Sequence, residues 1–118
     1  MSATVLVVED DASVRRSLVR LLAARGYSAV PARNGATVLE DALRERPAVV
    51  LMDLHMPRNS GIEIARTIRQ HAELRDVALI ALSASSAPEE ALRPLFDQVL
   101  VKPCASQDIV TAIRTAMQ

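Results

Sequence analysis

Five side chains could do chemistry together if the fold brings them to one place. They are Glu9 and Asp10 in "VLVVEDD", Asp53 in "VVLMDLHMP", Ser83 in "ALSAS" and Lys102 in "VLVKP". Each follows a short apolar run. An acid at the end of a buried run is costly unless something uses its charge. Carboxylates that converge within a few ångströms repel one another, so that one takes up a proton or they share a cation. Oxygen-only donors favour a hard ion such as Mg2+ (or Mn2+) over zinc. A hydroxyl and an ammonium beside such an ion suit a phosphoryl group, whose charge is spread over several oxygens. Asp53 is then either a metal ligand or a phosphoryl acceptor, since a carboxylate can form an aspartyl-phosphate.

For these residues to meet, the elements that carry them must share one edge. Four continuous apolar runs, 4–8, 48–52, 77–82 and 99–101, and a weaker one at 28–32, predict strands covered on both faces, as in a parallel sheet. Between them, helical spacing predicts helices over 12–25, 35–46, 61–71, 88–95 and 106–117. Val14, Leu18, Leu21 and Leu22 mark the inner face of the first, and Ile109, Ile113 and Met117 that of the last. Gly26 and Pro47 are stops, and Ser60 and Ser106 are caps. Five βα repeats predict a single α/β domain over 1–118, a doubly wound, flavodoxin-like five-stranded parallel sheet with five helices on both faces. With strand order 2-1-3-4-5, strands one and three are neighbours, and their acids converge with Ser83 and Lys102 beside them.

Composition narrows the function. The chain has 118 residues and a formal net charge of zero, so bulk charge gives no support to a nucleic-acid surface. Tyr27 and Phe96 are its only aromatics, which disfavours base stacking, and Cys104, a lone cysteine, excludes an internal disulfide and a cysteine-based metal cluster. No apolar run is long enough to span a bilayer and the N-terminus has no basic leader, so a cytoplasmic domain without membrane or direct nucleic-acid partners is expected. A nucleotide or flavin module would need glycines after the first strand, and "EDDAS" has none.

In order and spacing, "VLVVEDD", "VVLMDLHMPRNSG", "ALSAS" and "VLVKP" resemble the receiver domain of bacterial two-component response regulators, over essentially the whole chain. The resemblance implies a phosphoprotein of a two-component phosphorelay, with Asp53 taking its phosphoryl group from a histidine kinase or phosphotransfer domain. By that match Asp10, Asp53 and the backbone carbonyl of His55 bind Mg2+, and Glu9 acts through water. Ser83 is the switch hydroxyl, and Lys102 pairs with the phosphoryl group ahead of a cis bond to Pro103. The side chains of His55 and Ser85 modulate phosphoryl lifetime, whereas Asp11 belongs to the turn ahead of the first helix and His71 to the surface. Output passes to a downstream protein or a fused output domain. A homodimer through 88–95 and 106–117 is a further expectation of the resemblance.

The chain departs from the family pattern in places. Val99 stands where an aromatic is common, so the usual coupling between hydroxyl and aromatic is unavailable. The span 84–101 is short and holds Pro94, which predicts a short or irregular fourth helix. Two other functions compete. An aspartyl-phosphate phosphohydrolase of the haloacid dehalogenase type needs an acid two residues after its nucleophile, where this chain has His55. A docking scaffold that has lost phosphorylation would not need the complete residue set.

Lys102 is the one lysine among fourteen basic residues. A phosphoryl oxygen beside a cation offers a compact slot, and a guanidinium is wide and planar. Lys102→Arg is therefore expected to impair switching although it keeps the charge. Phosphorylation and conformational change equal to the parent's would overturn that argument.

Overall fold

The computed structural model describes residues 3–32, 35–56, 60–84 and 92–118. Its strands are β1 (Thr4–Val8), β2 (Ser28–Pro31), β3 (Val49–Asp53), β4 (Ala78–Ser83) and β5 (Gln98–Val101). Four α-helices are described: α1 (Ala12–Ala24), α2 (Val38–Glu45), α3 (Gly61–Gln70) and α4 (Ser106–Ala116). Short 3-10 turns cover Gly35–Thr37 and Ala72–Leu74. The first replaces the start of the helix expected at 35. The expected helix at 88–95 falls largely outside the described residues. Its described end is a turn in which the amides of Leu95 and Phe96 donate to the carbonyl of Leu92.

All strands are parallel, in the order β2-β1-β3-β4-β5. The sequence pattern explains why. β1, β3 and β4 are the most continuous apolar runs; all but one of their residues, Thr4, are buried, and they form the centre, whereas β2 and β5 are more exposed and lie at the edges. Alternate residues of each central strand feed two cores. Leu6, Val8, Val50, Met52, Leu79 and Ala81 pack with Val38, Ala42, Ala65 and Ile68 of α2 and α3. Val5, Val7, Val49, Leu51, Ile80 and Leu82 pack with Leu18, Leu22, Ile109 and Ile113 of α1 and α4.

The helix ends show local causes. Asp11 caps α1, its Oδ1 accepting the amides of Ser13 at 2.9 Å and Val14 at 3.0 Å. α1 stops at Gly26, whose φ of 91° favours glycine. Ser60 caps α3 by accepting the Glu63 amide at 3.3 Å. Three expectations need correction. Ala105, not Ser106, caps α4, and the Asp108 carboxylate accepts the Ala105 amide at 3.1 Å. Val14 and Met117 continue the apolar spacing of their helices but are exposed, each standing near a helix end. His71, expected on the surface, is half-buried where α3 ends.

The edge of the sheet away from the strand ends is tied by one arginine. Arg69 of α3 donates from Nε to the Leu95 carbonyl at 2.9 Å and from Nη1 to the Val77 carbonyl at 2.8 Å. Its Nη2 meets Asp97 Oδ2 at 2.9 Å, and that oxygen also accepts the Leu79 amide at 2.8 Å. One side chain thus joins α3, the start of β4 and the approach to β5. Charge-assisted bonds contribute roughly 1.5–3 kcal/mol each when half-buried, with losses only partly additive. Arg69→Met is expected to lower unfolding free energy by about 2–3 kcal/mol in urea titration. A loss below about 0.5 kcal/mol, the range of an ordinary surface change, would contradict this account.

Candidate functional site

Register brings the singled-out residues together. Val8 pairs with Met52, so Glu9 follows its strand directly opposite Asp53. Asp53 pairs with Leu82, placing Ser83 one residue beyond, and Ser83 pairs with Val101, placing Lys102 one beyond that. The backbone closes this edge further. The Leu54 amide donates to the Leu82 carbonyl at 2.9 Å and the Lys102 amide to the Ser83 carbonyl at 2.8 Å. Gly61, the first residue of α3, lies tight against Leu54. A Cβ there would fall 2.6 Å from Leu54 Cδ2 and 3.2 Å from its Cα, so glycine lets α3 start close behind Asp53.

Glu9, Asp53 and Ser83 are buried, at 8%, 4% and 1% exposure. Lys102 Nζ lies 2.8 Å from Asp53 Oδ1, and the His55 amide donates to the same oxygen at 2.9 Å. Burial pushes Asp53 toward the neutral form. Hydrogen bonds from Glu9, Lys102 and the His55 amide, with the lysine's charge, outweigh it and hold its carboxyl below the usual range. Glu9 goes the other way. Burial, its hydrogen bond to Asp53 and that residue's charge raise it to about 7, against the opposing pull of Lys102. Of the pair, Glu9 is thus the member pushed toward the protonated form and Asp53 the member held as the anion.

The other candidates are placed as follows. Asp10 is exposed beside Glu9, and the His55 side chain is exposed. The Ser83 hydroxyl donates to the carbonyl of Ala84 at 3.0 Å. Val99 is half-buried against the core that holds Phe96. The Lys102–Pro103 bond is cis, as expected. Ser85 lies outside the described residues. Cys104 is half-buried, and burial together with the Asp108 charge raises its thiol above the ordinary value, so it behaves as a small apolar residue. An apolar groove of about 650 Å³ opens beside the acids, walled by Val14, Leu18, Leu82, Cys104 and Ile109, with Lys102 and His55 at its polar end.

Sequence reasoning missed Arg15. Its Nη1 donates to the carbonyl of Glu9 at 2.8 Å and reaches that of Asp10 at 3.4 Å. The only signal was its place in the first turn of α1, which sets it over the preceding loop. Among the described residues no group of three His, Cys, Asp or Glu side chains is close enough to cage an ion. The donors at this edge are instead two buried carboxyl groups side by side, an exposed third and peptide oxygens. An all-oxygen set with an acid proton to displace fits a hard divalent cation.

The comparisons agree with this geometry. A family model described as "Response regulator receiver domain" matches residues 5–114. The chain is 34% identical over 117 residues to the response regulator MprA of Mycobacterium leprae, covering 97% of this chain and 50% of that protein. The chain thus spans about half the length of the curated relatives it matches. Among solved structures it resembles the chemotaxis response regulator CheY4 of Vibrio cholerae, with TM-score 0.89 and 24% identity, covering 98% of this chain and 99% of that one, a likeness of fold. The signal receiver domain of a signal transduction histidine kinase from Syntrophus aciditrophicus gives TM-score 0.87 and 25% identity, covering 98% and 90%. Among the described residues no helix is long and apolar enough to cross a membrane.

Glu9 is expected to make stability depend on pH. Its carboxyl is raised from 4.5 to about 7 in the folded state, so between those values the folded chain binds more protons than the unfolded one. Its contribution is complete below pH 4.5 and is lost as pH rises through 7. At about 1.4 kcal/mol per pH unit the loss is on the order of 3–4 kcal/mol. Thermal melts without divalent cations should show Glu9→Gln flattening that decline. A decline of equal size in the variant would assign it elsewhere.

Proposed function

The chain belongs to the response regulator receiver domain family of two-component signalling, and from that premise we propose that Asp53 accepts a phosphoryl group from a histidine kinase or phosphotransfer domain, with Mg2+ (or Mn2+) as cofactor. The observation that carries this reading is Asp53 itself. It is a buried carboxylate kept anionic, with a lysine ammonium 2.8 Å from one oxygen and a second acid alongside. Lys102 and the His55 amide both hold Oδ1, and an oxygen of this carboxylate is the nucleophile. That oxygen attacks phosphorus, the P–N bond to the donor imidazole breaks, and the leaving nitrogen takes up a proton. Asp10, Asp53 and the His55 carbonyl would hold the cation, with Glu9 acting through water. When bound, it would neutralise charge as the anionic phosphoryl group nears the acids.

The roles of the remaining residues follow from their positions. Lys102 moves from the carboxylate to a phosphoryl oxygen, a transfer suited to a compact ammonium on a flexible stem. Ser83 exchanges the Ala84 carbonyl for a phosphoryl oxygen, and that exchange is the start of the switch. His55, exposed at the rim, modulates access of water to the acyl phosphate, and Ser85 is given the same role by the sequence match alone. The chain is a signalling phosphoacceptor rather than a classical enzyme. The phosphohydrolase reading is weaker because no acid stands at position 55 to protonate a leaving group. A cytoplasmic relay passing its state to a downstream protein or a fused output domain completes the proposal.

The test is intact mass after incubation with acetyl phosphate. One phosphoryl group is expected on the parent with Mg2+ and none with chelator. Asp53→Asn is expected to remain unlabelled. Labelling of that variant to the parent's extent would sink the assignment.

A further inference from the structure

The loop between β1 and α1 presents three carbonyls and three carboxylates in succession, and most of them have partners. The Arg15 amide takes the Asp11 carbonyl at 2.8 Å. The Asp11 carboxylate is engaged by the amides of Ser13 and Val14. The Arg15 guanidinium takes the carbonyls of Glu9, at 2.8 Å, and Asp10, at 3.4 Å, from a single nitrogen. Glu9's carboxyl is hydrogen-bonded to Asp53, and Asp10's is exposed. Hence Arg15 holds the backbone on which Glu9 and Asp10 are mounted, from the first turn of a helix packed on the sheet.

We propose that Arg15 is a positioning residue for the acidic pair, fixing the peptide units of Glu9 and Asp10 so that their carboxylates stay at the strand edge and set the affinity for a divalent cation. The proposal rests on the phosphoacceptor reading above. Two effects of Arg15 oppose each other. A cationic side chain beside a cation site repels the ion, so removing it should tighten binding by charge alone. Removing it also frees two carbonyls and lets the loop turn, which scatters the acids. Partners of this kind, which orient the groups that hold a metal, typically contribute ten- to a hundredfold in affinity. For a contact this direct, positioning wins.

Arg16 is the control. It is the next residue, bears the same charge and is exposed, with no hydrogen bond or ion pair among the described residues. Arg15→Lys tests reach, because the lysine stem is shorter and its ammonium cannot sit where the guanidinium nitrogen meets both carbonyls.

The experiment is Mg2+ titration of the full chain, followed by amide NMR shifts, for the parent, Arg15→Met, Arg15→Lys and Arg16→Met. Arg15→Met is expected to bind roughly tenfold more weakly or worse, and Arg15→Lys to fall between it and the parent. Arg16→Met should match the parent or bind slightly tighter. With acetyl phosphate, the Arg15 variants should need more Mg2+ for half-maximal labelling but reach the parent's rate at saturation. The proposal is overturned if a folded Arg15→Met, or Arg15→Lys should the first not fold, binds Mg2+ as tightly as the parent. It is equally overturned if Arg16→Met weakens binding as much. A parent that binds no Mg2+ overturns the phosphoacceptor reading and this proposal with it, a result distinct from failure of Arg15 alone.

Discussion

Glu9 and Asp53 end neighbouring parallel strands, and both are almost wholly withdrawn from water. Two carboxylates so placed cannot both be charged without help. The structure resolves the conflict in two ways. Glu9 keeps a proton up to about 7, and Lys102 stands 2.8 Å from Asp53. Much of the architecture follows from supplying that lysine. It arrives on β5, the edge strand beyond β4, and its backbone amide is fixed to the Ser83 carbonyl. A hydroxyl, an ammonium and two acids thus share one edge because every strand runs in the same direction. In an antiparallel sheet, alternate strands would deliver their ends to the opposite side.

Holding unlike charges so close requires a frame that does not yield. The central strands supply it, with side chains alternating into two cores, α2 and α3 on one face and α1 and α4 on the other. At the far edge Arg69 ties α3 to β4 and to the approach to β5, so the strands carrying Ser83 and Lys102 are fixed where they begin. At the near edge, among the described residues, the fastenings are the Leu54 and Lys102 amides, the Asp11 cap, Arg15, and the Lys102 and His55 contacts to Asp53.

The strands were legible because continuous Val, Ile and Leu runs have few other uses in a short α/β chain. The acids were legible because each interrupts such a run where burial makes a charge conspicuous. Helix ends were harder. Val14 and Met117 keep the apolar spacing yet stand exposed, since periodicity says which face a residue is on and not how far it is covered there. Ala105 displaced Ser106 as cap because Asp108 supplies the acceptor from inside the helix. Arg15 and Arg69 were not legible at all. Both act on backbone carbonyls, whose positions depend on loop paths, and among thirteen arginines the sequence does not tell Arg15 from the exposed Arg16 beside it.

Val99 limits how a change at Ser83 can travel. An aromatic at that place could swing between a buried and an open position, but valine has one short rotor and is half-buried already. Phe96 offers no substitute, being buried in the core with Leu92 and held next to the residues that Arg69 fastens. The remaining conduits are backbone. Ser83 has its carbonyl on the Lys102 amide and its hydroxyl on the Ala84 carbonyl, so a hydroxyl drawn toward a phosphoryl group releases the next peptide unit. That unit leads directly into the stretch between β4 and β5, while the Arg69 fastening holds the stretch's far end at Leu95. On the proposed function, the change at Ser83 begins at the Ala84 carbonyl, and Leu95 stays where Arg69 holds it.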